Sequence, residues 1–218
     1  MELNNYDTDK LFEYENGYHT VSKKDRFGKF LAHYELYKRI TDLPGHIVEC
    51  GVFKGNSLFR FASFRDIVET TYSRKIIGFD IFGDFPATQF NDDKKYLEKF
   101  ISAAGSKSIT VEELRRVLEY KNIENVELVK GDITATVPQY CKENAHLKIA
   151  LLHLDVDIYE PAVTILENLF DKVVKGGVIM FDDYGTFPGE TKAVDDFFKD
   201  YKVQKLPISH IPSYIIKE

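Results

Sequence analysis

The feature that most limits the fold of this chain is a unit that recurs along it. A short apolar run ends in an acidic residue, and a stretch of helical periodicity follows. The runs are HIVECGV (46–52), KIIGFDI (75–81), VELVKGD (126–132), KIALLHLDVD (148–157) and GGVIMFDD (176–183). Between and after them, helical spacing covers 56–72, 93–104, 110–121, 136–143, 161–174 and 191–201. Apolar runs alternating with helical patterns predict βαβ units and a parallel sheet. Right-handed crossovers then bring the C-terminal ends of all five strands to one edge, where open α/β sheets bind ligands. Glu49, Asp80, Asp132, Asp155, Asp157, Asp182 and Asp183 all fall at that edge. The tail, KVQKLPI and SYIIKE, predicts two further strands closing as a hairpin-like pair.

Ahead of this array, residues 29–41 have helical spacing and LPG at 43–45 ends the helix. Residues 1–28 show no clear period. The organisation expected is an N-terminal helical or lid segment at 1–44 ahead of a ligand-binding α/β unit at 45–218, forming one domain overall. With 44% hydrophobic residues the 218-residue chain can bury a core, and its 17 Phe and 13 Tyr make that core aromatic. A net charge of -6 argues against nucleic acid or an anionic membrane as partner. Cys50 and Cys141 form no CxxC pair, so a structural zinc site is not expected. Two buried thiols in a reducing cytoplasm is the simpler reading. MELNNYDTDK has no apolar core of a signal peptide, and no apolar run is long enough to span a bilayer.

The turn after the first strand, ECGVFKGNS, places Gly51 and Gly55 four apart. Glycine permits positive φ and close approach of a ligand to the backbone. The spacing matches neither the dinucleotide G-x-G-x-x-G nor a Walker A loop. A cofactor without phosphate at this turn fits better, and S-adenosylmethionine is one. Asp80 stands where an acid takes ribose hydroxyls in dinucleotide folds, and Asp132 stands where an adenine edge could be met. Either could instead cap a helix or line a solvated loop.

Asp155 and Asp157 are two apart. Extended geometry would project them from one face, about 7 Å apart. Asp182 and Asp183 end the next strand. Carboxylates crowded at two strand ends repel, and a hard divalent cation with oxygen ligands (Mg²⁺, Ca²⁺ or Mn²⁺) would remove that repulsion. Asp157 and Asp183 also have a structural alternative, as a helix cap and a loop residue. His153 shares a face with Asp155 and reads as a core histidine or as a partner of a metal ligand.

IVECGVFKGNS, IIGFDIFGDFP, LLHLDVDIYEP and GGVIMFDDYGTFPGETKAVDDFF together resemble the macrocin O-methyltransferase (TylF-like) family over about 45–200. The resemblance implies a Rossmann-like class I methyltransferase fold: a mostly parallel seven-stranded sheet with helices on both faces. It implies an S-adenosylmethionine- and Mg²⁺-dependent O-methyltransferase acting on a sugar or glycoside hydroxyl in natural-product or polysaccharide biosynthesis, from a family that often forms homo-oligomers. Carried onto this chain, it makes Asp155, Asp182 and Asp183 the metal ligands and Asp157 the general base beside the metal-held Asp155. Glu49, Gly51, Ser57, Asp80 and Asp132 would hold the cofactor. The segment 84–123, which usually shapes the acceptor pocket, does not match the pattern. Rival readings are a catechol-type methyltransferase with the same metal logic, a haloacid-dehalogenase-type phosphatase, and a non-catalytic protein that binds the cofactor. In the phosphatase the D-x-D opens the domain, whereas here it lies on the fourth strand.

Overall fold

The computed structural model describes residues 1–218. A small hairpin, β1 (Glu2–Leu3) with β2 (Tyr6–Asp7), precedes helices α1 (Leu11–Val21) and α2 (Lys24–Tyr37). Then follow β3 (His46–Cys50), α3 (Asn56–Val68), β4 (Ile76–Asp80), α4 (Asn91–Ala104), α5 (Val111–Tyr120), β5 (Val126–Lys130) and α6 (Ile133–Glu143). The chain ends with β6 (Ile149–Leu154), α7 (Tyr159–Leu169), β7 (Val173–Phe181), α8 (Pro188–Phe197), β8 (Gln204–Lys205) and β9 (Ser213–Ile216).

Seven strands form one sheet in the order β5-β4-β3-β6-β7-β9-β8. The five strands β3 to β7 run parallel; β9 pairs antiparallel with β7 and β8 antiparallel with β9. This is the architecture expected above, with the tail supplying its two strands. The chain leaves β3 toward β4 on one side and returns on the other as β6, so a crevice opens at their C-terminal ends.

Both faces of the sheet are covered. Val48, Cys50, Phe79, Leu152 and Leu154 pack against α6, α7 and α8, while Ile47, Ile76, Leu151 and Met180 pack against α2, α3 and α5. Two-sided burial explains why β6 reads as an unbroken apolar run, with all six residues buried. Cys50 is buried but Cys141 is only half-buried; both are free thiols. No helix is long and apolar enough to cross a membrane.

Two expectations about the N-terminal region change. α2 begins at Lys24, five residues earlier than its apolar spacing indicates, because its first turn is polar. Residues 1–28, without visible period, contain α1, none of whose residues is buried. Ala32, Leu36 and Tyr37 of α2, with Ile40 beyond it, are completely buried in the core.

Candidate active site

A cavity of about 670 Å³ opens at the C-terminal ends of the parallel strands. Its floor is the glycine turn. Gly51 has φ +93, and a Cβ there would lie 1.8 Å from the carbonyl oxygen of Asp155. Two strand ends therefore touch at this position, and only glycine fits. Asp80 holds the same turn: its Oδ2 accepts the N–H groups of Val52 and Phe53, both at 2.9 Å, and its Oδ1 accepts that of Phe82 at 2.6 Å. Asp80 lines the cavity, yet three of its acceptor positions serve the backbone. Asp132 also lines it, and is the N-cap of α6, accepting the Thr134 N–H at 2.8 Å. Both alternatives weighed for these acids, capping and site, are present in one residue. Ser57 lines the cavity and donates to Glu49, which lies fully buried behind it. Glu49 does not reach the cavity wall.

β6 ends at Leu154, and Asp157 has a left-handed backbone, φ +62. The i, i+2 argument for Asp155 and Asp157 therefore fails, because the extended geometry it assumes stops before them. Both nevertheless line the cavity with Asp182 and Asp183. The turn brings them together instead of the pleat. Asp157 does not cap α7: the N-cap position is Ile158, and the first amide, Tyr159 N–H, donates to Asp93 at 3.0 Å. Asp183 Oδ1 accepts the Thr186 hydroxyl at 2.9 Å.

Potential ligand atoms of Asp155, Asp182 and Asp183 lie within 4.8 Å of one another. Asp182 is already compensated by the chain. Its Oδ2 is ion-paired with Lys29 of α2, and its Oδ1 lies 3.5 Å from His153 Nε2 and 3.6 Å from His33 Nε2. On the far side, His153 Nδ1 faces Glu49 Oε1 at 3.8 Å. Burial penalises the charge on Asp182, but Lys29 and the two imidazoles outweigh it and hold its pKa well below the usual range. Burial also works against a charged His153, but Asp182 and Glu49 on its two nitrogens raise its pKa to about 10. His33, stacked on Phe61 and 5.3 Å from the His153 ring, is pushed down to about 3, chiefly by burial. His153 is thus the partner of a candidate ligand, one of its two expected roles.

The other carboxyls have no such partners. Asp155 and Asp157 are raised well above the usual range, first by burial and then by neighbouring carboxylates. Asp183 is raised for the same reasons. Glu190, completely buried on α8, donates no charge balance either: its Oε1 accepts the Asp183 N–H at 2.9 Å, its Oε2 is unpartnered, and burial raises its pKa well above normal. The site therefore holds a surplus of carboxyls, Asp157 and Glu190 buried and Asp155 and Asp183 half-buried, facing an oxygen-lined space. That donor set suits a hard divalent cation, which would reverse these shifts.

Lys29, His33, Glu190, Asp93 and Glu160 are absent from the residues singled out in the sequence. A signal existed for three of them. Lys29 and His33 share the helical face that continues through Leu36, Tyr37 and Ile40, and Glu190 precedes Ala193 and Val194 by three and four residues. Charged residues on apolar faces of amphipathic helices point inward. Asp93 and Glu160 carried no such mark. Asp93 Oδ2 takes the first amide of α7 and its Oδ1 the Gly189 amide of α8 at 2.6 Å. Glu160 takes the amides of Gln89 and Phe90 and the Thr88 hydroxyl. These two carboxylates fasten the unmatched segment over the cavity, where Phe85 and Phe100 line it.

The sequence model of the macrocin O-methyltransferase (TylF) family matches residues 18–216. A relative from Streptomyces olivaceus, 8-demethyl-8-(2,3-dimethoxy-alpha-L-rhamnosyl)-tetracenomycin-C 4'-O-methyltransferase, is 28% identical over 173 residues, 78% of this chain and 63% of that protein. Demethyldecarbamoylnovobiocin O-methyltransferase of Streptomyces niveus is 28% identical over 169 residues, 72% of this chain and 59% of that protein. The chain spans less than two thirds of either relative. The crystal structure of a calicheamicin methyltransferase superposes with a TM-score of 0.76 at 28% identity, covering 96% of this chain and 85% of that one. The strand order, the acidic strand ends and the near-complete family match agree: this chain has the class I methyltransferase fold and belongs to the macrocin O-methyltransferase (TylF) family.

Proposed function

We propose that this chain is an S-adenosylmethionine- and divalent-metal-dependent O-methyltransferase whose acceptor is a sugar hydroxyl. The observation that carries the reading is the surplus of carboxyls at the strand ends, Asp157 and Glu190 buried and Asp155 and Asp183 half-buried, beside a glycine turn shaped for close approach. The sugar acceptor rests on relatives named for methylating rhamnosylated and other natural products. The same calicheamicin enzyme, in its apo structure, is named a TDP-rhamnose 3'-O-methyltransferase, again with a sugar acceptor.

Gly51, Ser57, Asp80 and Asp132 would border S-adenosylmethionine, with Glu49 acting through the Ser57 hydroxyl. Asp155, Asp182 and Asp183 would hold Mg²⁺. Bound there, the ion would lower the pKa of a chelated diol hydroxyl, and the sulfonium would supply the methyl group. The chain's own part is alignment and proton removal. In-line displacement breaks the methyl C–S bond as the O–C bond forms, so donor and acceptor must be fixed in line. Asp157, which lines the cavity beside the metal-ligand set, takes the hydroxyl proton. The segment fastened by Asp93 and Glu160 keeps water from the reacting atoms.

The test is calorimetric titration of S-adenosylhomocysteine and of Mg²⁺ into the wild type and into Asp155→Asn. Expected are micromolar cofactor-product binding in both and a Mg²⁺ signal only in the wild type. No binding of S-adenosylhomocysteine to the wild type would overturn the reading. With an acceptor in hand, Asp157→Asn is expected to lower kcat by about 10²-fold or more with metal affinity kept; loss of metal binding instead would make Asp157 a ligand.

A further inference from the structure

Two histidines stand behind the acidic strand ends and take no part in the reaction proposed above. His33 of α2 and His153 of β6 are completely buried, and neither lines the cavity. Each turns Nε2 toward the same atom, Oδ1 of Asp182, at 3.6 Å and 3.5 Å respectively. Candidate ligand atoms of the three residues lie within 4.8 Å of one another. Neither nitrogen of His33 has a hydrogen-bond partner. His46 shows the ordinary alternative, since its Nδ1 accepts the Lys75 N–H at 3.2 Å. A buried polar group left unpaired is costly, so His33 needs a partner that the chain does not supply.

The surroundings are those of a ligand set. Phe61 stacks on His33 at 5.3 Å and meets the His153 ring edge-on at 5.4 Å, which fixes both imidazoles. His153 Nδ1 faces Glu49 Oε1 at 3.8 Å, and metal-bound histidines turn their second nitrogen to just such a carboxylate. Lys29 holds the other oxygen of Asp182, Oδ2, and leaves Oδ1 to the imidazoles. Zinc bonds of about 2.0–2.1 Å at tetrahedral angles set neighbouring ligand atoms about 3.3–3.4 Å apart. The two N···O distances are long for hydrogen bonds and close to that edge. Imidazole suits zinc and its neighbours, where all-oxygen sets suit Mg²⁺. The absence of a CxxC pair does not bear on this set, which uses no cysteine.

We infer that His33, His153 and Asp182 form a second metal site, distinct from the all-oxygen set, that takes Zn²⁺ or a similar borderline divalent ion. Asp182 gives Oδ1 to this ion, and the fourth position falls to water. Both histidines lie off the cavity wall, so the ion is a fastening and not a second reaction centre. It ties α2 to β6 and to the end of β7, the junction through which the N-terminal region meets the site.

The test is calorimetric titration of Zn²⁺ into the full, metal-stripped chain with Mg²⁺ in excess, so that the all-oxygen set is filled. Expected is one equivalent of Zn²⁺ bound by the wild type and by Asp155→Asn. Glu49→Gln should weaken that binding about 10–100-fold, and His33→Gln or His153→Gln should weaken it further. Zn²⁺ should raise the Tm of the wild type and leave that of His33→Gln unmoved. No Zn²⁺ binding by the wild type would overturn the assignment. Binding lost in Asp155→Asn and kept in His33→Gln would overturn it too, by placing the ion on the acids. Should the histidine variants fail to fold, pulsed EPR of the Cu²⁺-loaded wild type counts the imidazoles on the ion: two support the site, and fewer end it. The methyltransferase reading stands apart from these results, since S-adenosylhomocysteine binding tests it separately.

Discussion

Gly51 shows how one residue can fix a site without touching a ligand. Its left-handed backbone alone costs a non-glycine residue about 1–3 kcal/mol, and a Cβ would sit inside the Asp155 carbonyl. Gly51→Ala is therefore expected to lower the unfolding free energy in urea by about 2 kcal/mol or more; a loss under about 0.5 kcal/mol would show that the two strand ends separate freely. His153 gives a second prediction at this scale. Its folded pKa of about 10 lies above its unfolded value near 6.5. The raised pKa means that its contribution is fully present below about pH 6.5 and is lost as pH rises through the folded value. The Tm of metal-free protein should therefore fall between pH 7 and 10, by about 2–4 °C per kcal/mol lost, and His153→Gln should flatten that slope. An unchanged slope in the variant would mean that His153 is neutral throughout.

The elements set which acids meet, and here Asp93 matters most. A single carboxylate satisfies amides at the starts of α7 and α8, the two helices that follow the two acidic strand ends. Each lost helix cap costs about 0.5–2 kcal/mol. Asp93→Ala should lose both, and Asp93→Asn, with one acceptor oxygen, should fall between wild type and Ala in urea unfolding. Equal stability of Ala and wild type would show that water caps both helices. The same scale shows what the sequence could and could not reveal. β3, β4, β6 and β7 were legible because two-sided burial writes a continuous apolar run. β8, expected within KVQKLPI, shortens to two exposed residues, and α1 buries nothing, so it leaves no hydrophobic period to read. The strand-end acids were legible as a set, but their geometry was not: Asp157 departs from extended backbone, a fact no period-2 argument contains. Asp93 lies on α4 in the segment that does not match the family pattern, and its partners are backbone amides, which have no sequence signature.

At the scale of the whole molecule, the question is whether the N-terminal region is an attachment or part of the domain. α2 buries Leu36 and Tyr37 completely, with Ile40 following, and it supplies Lys29 and His33 to Asp182. Burying a leucine or isoleucine is worth about 1.5–3 kcal/mol each, and removing one partner of a buried ion pair costs about 3–5 kcal/mol. Together these approach the 5–15 kcal/mol that holds a typical domain. α1 and the β1–β2 hairpin differ. Leu11, Phe12 and Val21 are exposed, and of the hairpin only Leu3 is buried. Deleting residues 1–22 is therefore expected to leave a cooperative thermal transition within several degrees of the full chain. Deleting residues 1–44 is expected to leave no cooperative transition at all, because Asp182 would then be a buried carboxylate with His153 as its one remaining partner. Circular dichroism melts of the two truncations decide the matter. A cooperative melt from the shorter chain would mean that the sheet and its remaining helices tolerate that charge, and that α2 covers the site without building it.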